Sequence, residues 1–96
     1  MTTTTNRPLG DIRIFKLPVD TTTVPSRLTA PGVFRTIGLD PAGDLCVWYE
    51  DDPAPTDKPA VAYVTFTGQR VPMGFAVIGS CVWRGLVWHL LVEKQR

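Results

Sequence analysis

Between Leu39 and Leu45 the chain reads LDPAGDL, flanked on both sides by runs of β-forming residues. Pro41 has its φ set for the first central position of a turn. Gly43 can enter the left-handed region that a turn followed by a bulge demands. This combination predicts a β-hairpin whose arms are residues 33–39 (VFRTIGL) and 45–50 (LCVWYE). The second arm is apolar on both phases of the alternation, as expected of a strand in the middle of a sheet.

The rest of the chain is punctuated in the same way, and no apolar stretch has the period of a helix. In residues 11–19 (DIRIFKLPV), Ile12 and Ile14 alternate with Asp11 and Arg13, while Phe15 and Leu17 are apolar on the opposite phase. A strand covered on both faces in its second half is expected. Residues 20–32 are rich in Thr and Pro and read as a connecting loop pinned by Val24 and Leu28. Residues 60–67 (AVAYVTFT) form a strand closed by Gly68, and residues 69–74 (QRVPMG) carry turn chemistry. Residues 75–83 and 86–93 then make a final hairpin through Arg84-Gly85. The expectation is an all-β domain over residues 11–96, about six antiparallel strands in a small barrel-like or sandwich-like arrangement that limits exposed edges. Residues 1–10 (MTTTTNRPLG) read as a flexible, extended N-terminal arm, and residues 50–59 (EDDPAPTDKP) as an exposed loop.

At 96 residues there is room for one domain, whose folding buries roughly 60–70% of the unfolded surface; a deep cleft would consume much of that core. Ten Lys and Arg against nine Asp and Glu leave a net charge of +1, short of the basic excess that nucleic-acid binding draws on, so nucleic acid is disfavoured as a partner. The longest apolar stretch is broken by Gly79, Ser80, Arg84 and Gly85 before it could span a bilayer, and no membrane segment is expected. The N-terminal residues fit neither a secretory signal nor a transit peptide, which points to a cytoplasm. Cys46 and Cys81 lie in separate apolar runs, with no CxxC pair and no adjacent His, and read as buried free thiols.

Catalysis needs a nucleophile or metal, a base beside it and a group that orients the base. The single histidine, His89, lies in LVWHLLV, with Val87 and Leu91 on its own face and Leu86, Trp88, Leu90 and Val92 on the other. A lone histidine in a strand is most often structural or exposed. One His and two separated Cys cannot build a four-ligand zinc site. The acidic set Glu50, Asp51, Asp52 and Asp57 lacks the spacing of a calcium loop. There is no GxSxG elbow and no glycine-rich phosphate cradle, so no catalytic residue, metal or cofactor is expected. Above this background stand the aromatic and basic residues near the strand ends: Arg70 in a turn, Trp83 and Arg84 at the last hairpin, and Trp48 with Tyr49 in the central strand. Guanidinium and aromatic faces together can hold a planar anionic ligand such as a nucleotide, and Trp, Tyr and Arg equally dominate protein interfaces.

In their order the segments resemble a family of small phage proteins of unknown function. That family opens on I-x-K-x-x-L, follows with an Ala-Gly hairpin approach, a Cys-x-Trp strand, an Asp-Pro-rich acidic loop and a strand ending in G-T-G-H-P, and closes on V-F-H-V-F-E. The counterparts here are Ile14-Phe15-Lys16-Leu17-Pro18, Ala30-Pro31-Gly32, Leu45-Cys46-Val47-Trp48, Asp51-Asp52-Pro53-Ala54-Pro55, Phe66-Thr67-Gly68-Gln69-Arg70-Val71-Pro72 and Leu86-Val87-Trp88-His89-Leu90-Leu91-Val92-Glu93. The resemblance covers about residues 12–93. Where the family has His-Pro after its glycine this chain has Gln69-Arg70-Val71-Pro72, so any role of that His does not transfer. The resemblance implies a phage gene acting in an infected bacterium and carries no activity with it. The expected function is a non-enzymatic accessory module in the host cytoplasm, binding a host or phage protein or sequestering a small anionic, nucleotide-like ligand. The alternative is a structural virion component such as a capsid decoration or minor capsid protein. The two-sided apolar terminal hairpin adds the expectation of a homo-oligomer.

Overall fold

The structure, a computed structural model, describes residues 12–51 and 58–94. The expected arm at residues 1–10 and most of the acidic loop lie outside these residues. Seven strands form in the order β1 (Ile14–Pro18), β2 (Ser26–Ala30), β3 (Gly32–Leu39), β4 (Leu45–Asp51), β5 (Ala60–Phe66), β6 (Phe75–Trp83) and β7 (Leu86–Glu93). They make two antiparallel sheets, β1-β4-β3 and β2-β5-β7-β6, which do not join into a closed barrel. No helix forms among the described residues, so none is long and apolar enough to cross a membrane.

The hairpin at Asp40–Asp44 takes the expected form. Gly43 N donates to the Asp40 carbonyl at 2.8 Å, Asp40 N donates to the Asp44 carbonyl at 2.9 Å, and Gly43 has φ of 85°. β4 sits between β1 and β3, as its two-sided apolar pattern requires. Three expectations change. Residues 20–32 contain a strand, β2, whose inward positions are Ser26, Leu28 and Ala30; Ser26 and Ala30 are buried but too small or polar to register as an apolar alternation. β1 is an edge strand bonded only to β4, so Phe15 stays 40% exposed and Leu17 half-buried rather than covered on both faces. Glu50 ends the strand as the arm 45–50 expected, and Asp51, read only as loop, extends β4 by one residue.

Pairing register assigns the faces. Leu45 and Val47 of β4, Phe34 and Ile37 of β3, Ala62 and Val64 of β5, and Trp88 and Leu90 of β7 meet in one core between the sheets. Val47, Val64 and Leu90 have no exposed surface, and each such side chain contributes about 1.5–3 kcal/mol by leaving water. Pro31 alone links β2 in one sheet to β3 in the other. Immediately after it, Gly32 lies so close to β4 that a Cβ would overlap the Glu50 carbonyl. On that side of the molecule β3 packs along β6, where the missing side chain of Gly79 leaves room for Ile37.

Residues 67–74 have a different role from a simple turn. Thr67 N donates to the Val87 carbonyl at one end of the second sheet, and the Gly74 carbonyl accepts from Lys94 N at the other. Because β7 lies between β5 and β6, this segment straps across the outer face of the sheet. It accounts for an anomaly of burial: Thr65 and Leu91 point outward yet are 4% and 7% exposed, while Val77 and Val82 on the same face remain 55% and 66% exposed.

Candidate functional site

The β6–β7 turn places the aromatic–basic pair singled out above. Arg84 and Gly85 have φ of 51° and 78°, the double left-handed pattern of a type I′ hairpin turn. Glycine takes this conformation freely. Arginine pays about 1–2 kcal/mol for it, and a non-glycine residue held there by its surroundings is a feature that clusters at functional sites. The Arg84 guanidinium lies 4.4 Å from the centroid of the Trp83 ring. That ring is itself anchored: its Nε1 donates to the Gly43 carbonyl at 3.0 Å, and it packs edge-on against the core residue Trp88 with centroids 5.9 Å apart. Trp88 Nε1 in turn donates to the Trp83 carbonyl at 3.3 Å. The two hairpins β3–β4 and β6–β7 are thereby tied together at one end of the molecule.

Between them opens a cleft of about 300 Å³, with Val19, Thr21, Asp44 and Leu45 on its walls beside Trp83 and Arg84. The charged side chains on the cleft walls are Asp44 and Arg84, and those of the adjoining β3–β4 turn are paired differently. Asp40 accepts from Ala42 N, Asp44 N and Lys16 Nζ, each at 3.0 Å. The Asp44 backbone bond first, and Lys16 next, hold its carboxyl at about 2, well below the usual carboxylate range. The same bond raises the Lys16 ammonium. Asp40 also accepts from the buried Cys46 thiol at 3.7 Å. Lys16 and Asp40 thus satisfy one another, whereas Arg84 has no carboxylate partner among the described residues.

The other three residues expected at the site lie elsewhere. Tyr49 is half-buried at the edge of the core, between Phe15, stacked at 5.5 Å, and Phe34, tilted at 6.2 Å. Trp48 faces outward on the first sheet, half-buried over Gly38, whose Cβ would stand 3.5 Å from the indole. Arg70 is exposed on the strap across the second sheet. Trp83 and Arg84 are therefore the pair that the fold brings together.

His89 has neighbours that sequence reasoning missed. Its Nε2 is 2.8 Å from Thr67 Oγ1 and its Nδ1 is 2.7 Å from Ser80 Oγ. Both partners are hydroxyls, so the two ring nitrogens are each bonded within the sheet. The row Thr65–His89–Ser80 is created by the pairing of β5, β7 and β6, and alternation finds it only once the strand order is known. Cys46 and Cys81 are free thiols, buried and half-buried, and burial raises both above the ordinary thiol range. Among the described residues, no three of His, Cys, Asp and Glu gather as a metal site would require.

Residues 11–96 match a family model described as a domain of unknown function, DUF7352. No curated protein and no solved structure matches the chain.

Proposed function

The chain belongs to this DUF7352 family of unknown function; from the geometry of its last hairpin and the resemblance of its segments to small phage proteins, we propose that it is a non-enzymatic phage accessory module that binds a host protein through the Trp83–Arg84 turn. The observation that carries the reading is an exposed arginine without a carboxylate partner among the described residues, held in a strained turn and stacked on an anchored indole. A carboxylate presented by a partner can take the outer edge of the guanidinium in two hydrogen bonds while the ring keeps the opposite face desolvated. An apolar side chain next to that carboxylate fits the cleft against Val19 and Leu45. Trp and Arg are the residue types in which interface energy concentrates. The cleft volume of about 300 Å³ stands at the lower limit of sites that enclose a small ligand, which favours a protein segment over a sequestered nucleotide.

A second reading, a structural virion component, is favoured by a separate observation. Val77, Val82 and Val87 are at least 40% exposed on the outer face of the last hairpin, an apolar surface suited to contact between subunits. Native mass spectrometry of the tagged protein from infected bacteria distinguishes the two. The binding reading expects a co-purifying host protein that is lost in Arg84→Ala and Trp83→Ala and kept in Arg70→Ala. Alanine keeps the Cβ and with it the left-handed turn strain, so removing Arg84 forfeits only about 0.5–1 kcal/mol of cation–π attraction, and Tm should fall by no more than a few degrees. A partner retained by Arg84→Ala refutes the site. A fixed number of copies in purified particles, with no host protein bound, selects the virion reading.

A further inference from the structure

β1 is hydrogen-bonded to β4 on one side, and no other strand of the described residues lies along its second edge. The ladder fixes which backbone groups face that edge. Asp51 N donates to the Arg13 carbonyl at 3.0 Å, and Val19 N donates to the Leu45 carbonyl at 3.2 Å. Both bonds fall on the β1–β4 register, and bonded pairs alternate along an antiparallel ladder. Residues 13, 15, 17 and 19 therefore bond to β4, while the N–H and C=O groups of Ile14 and Lys16 point away from it. Pro18 shares this outward phase and turns out a carbonyl without an N–H. Open strand edges are usually blunted by charge or by proline. Here the one charge in the strand, Lys16, is taken by Asp40 at 3.0 Å, and Pro18 stands at the far end. The stretch before it is exposed and apolar: Ile14 is 66% exposed, and Ile12 and Phe15 are exposed beside it.

We propose that this edge pairs with the same edge of a second copy of the chain, joining two three-stranded sheets into one six-stranded antiparallel sheet across a two-fold axis. The outward residues of the two copies must face one another, which leaves few registers. An axis at Lys16 sets the two ammonium groups directly opposite each other, a destabilising arrangement, and sets Ile14 against Pro18, which has no donor to give. An axis at Ile14 sets Phe15 against the charged Arg13. An axis at Phe15 avoids both faults. It pairs Ile14 of each copy with the partner's Lys16, and each of these pairs exchanges two backbone hydrogen bonds. It also opposes the two Phe15 rings at the non-bonded position, where side chains approach most closely. The aromatic row Phe34–Tyr49–Phe15, with Phe15 and Tyr49 stacked at 5.5 Å, then continues into the partner. A strand of another protein would gain the same backbone bonds without this matched ring pair, so the second copy is the occupant that fits. The seam is narrow, at the low end of specific interfaces, and the dimer should come apart on dilution.

The test is sedimentation velocity of the full-length protein from about 5 to about 500 μM, a span over which so small an interface dissociates. The native protein should pass from monomer to dimer across it. Ile14→Pro removes an outward N–H and none of the bonds to β4, a change that strands accept on their open edge. It should weaken the dimer at least tenfold, because two intermolecular hydrogen bonds are lost in each dimer, while Tm stays within a few degrees of native. Val82→Lys, on the outer face of the last hairpin, should dimerise as the native protein does. Amide hydrogen exchange of the native protein reads the same phase without any substitution, and decides the matter if Ile14→Pro does not fold. Exchange at Ile14 and Lys16 should slow as concentration rises, whereas Phe15 and Leu17, already bonded to β4 in the monomer, should change little. A monomer throughout the range, a dimer undiminished in Ile14→Pro, a dimer lost in Val82→Lys, or protection that ignores this alternation overturns the inference.

Discussion

Replacing Gly32 by alanine tests the junction on which the two-sheet arrangement rests. A Cβ at this position stands 2.9 Å from the Glu50 carbonyl carbon and 3.0 Å from the Asp51 Cα, and it overlaps the Glu50 carbonyl oxygen outright. Favourable carbon contacts lie near 3.5–4.0 Å, and every obstructing atom belongs to the backbone, so no rotamer change relieves the clash. β3 must move away from β4 at the Gly32–Asp51 and Val33–Glu50 pairs. Opening that end sacrifices about two ladder hydrogen bonds at about 0.5–1.5 kcal/mol each. It also loosens the half-exposed Arg35–Glu50 ion pair, worth at most about 1 kcal/mol. Alanine returns about 0.4–1 kcal/mol by narrowing the unfolded ensemble. The net cost is about 2 kcal/mol, a fall in Tm of roughly 8–16 °C for a domain of this size. Thermal unfolding by circular dichroism at pH 7 reads it, with Gly79→Ala as the internal control. There the Cβ meets Ile37 Cγ2 at 3.5 Å, an ordinary contact, and Tm should change little. Gly32→Ala as stable as Gly79→Ala would refute the argument from close approach.

Asp40 should make stability depend on acid. Its carboxyl titrates near 2 when folded against an ordinary value of 3.8, so its contribution is present above about pH 4 and is lost as pH falls towards 2. Asp40→Asn should therefore melt below native at pH 7, with the gap closing between pH 4 and pH 2; a gap that stays constant over that range contradicts the assignment. Leu90→Ala, at a side chain with no exposed surface, should cost about 2–5 kcal/mol in denaturant unfolding, and a loss below 1 kcal/mol would mean that the core between the sheets is not closely packed. Cys46, 1% exposed and raised by burial, should react with an aromatic disulfide reagent at pH 8 only at the rate of unfolding and more slowly than the half-buried Cys81, and rapid modification of Cys46 in the native protein would show that the Asp40 side of β4 is open.

What could be read from residues alone was local. The Asp40–Asp44 hairpin and the boundaries of β6 and β7 follow from Pro41, Gly43 and Gly85, whose backbone preferences act over a few residues and need no partner. Trp83 and Arg84 were legible as a pair for the same reason, since a turn keeps sequence neighbours together. The strand β2 was hidden because its inward positions, Ser26 and Ala30, carry almost no hydrophobic signal and are buried by what packs over them. Grouping Arg70, Trp48 and Tyr49 with Trp83 and Arg84 relied on residue type, and type does not say which sheet or face a side chain joins: Tyr49 went to the core edge of the first sheet, Trp48 to the outer face of that sheet, and Arg70 to the strap over the second. Strand order and register decided these placements. They also set His89 between Thr65 and Ser80 and laid the strap over Thr65 and His89, because side chains distant along the chain become neighbours only when ladder hydrogen bonds choose which strands lie side by side.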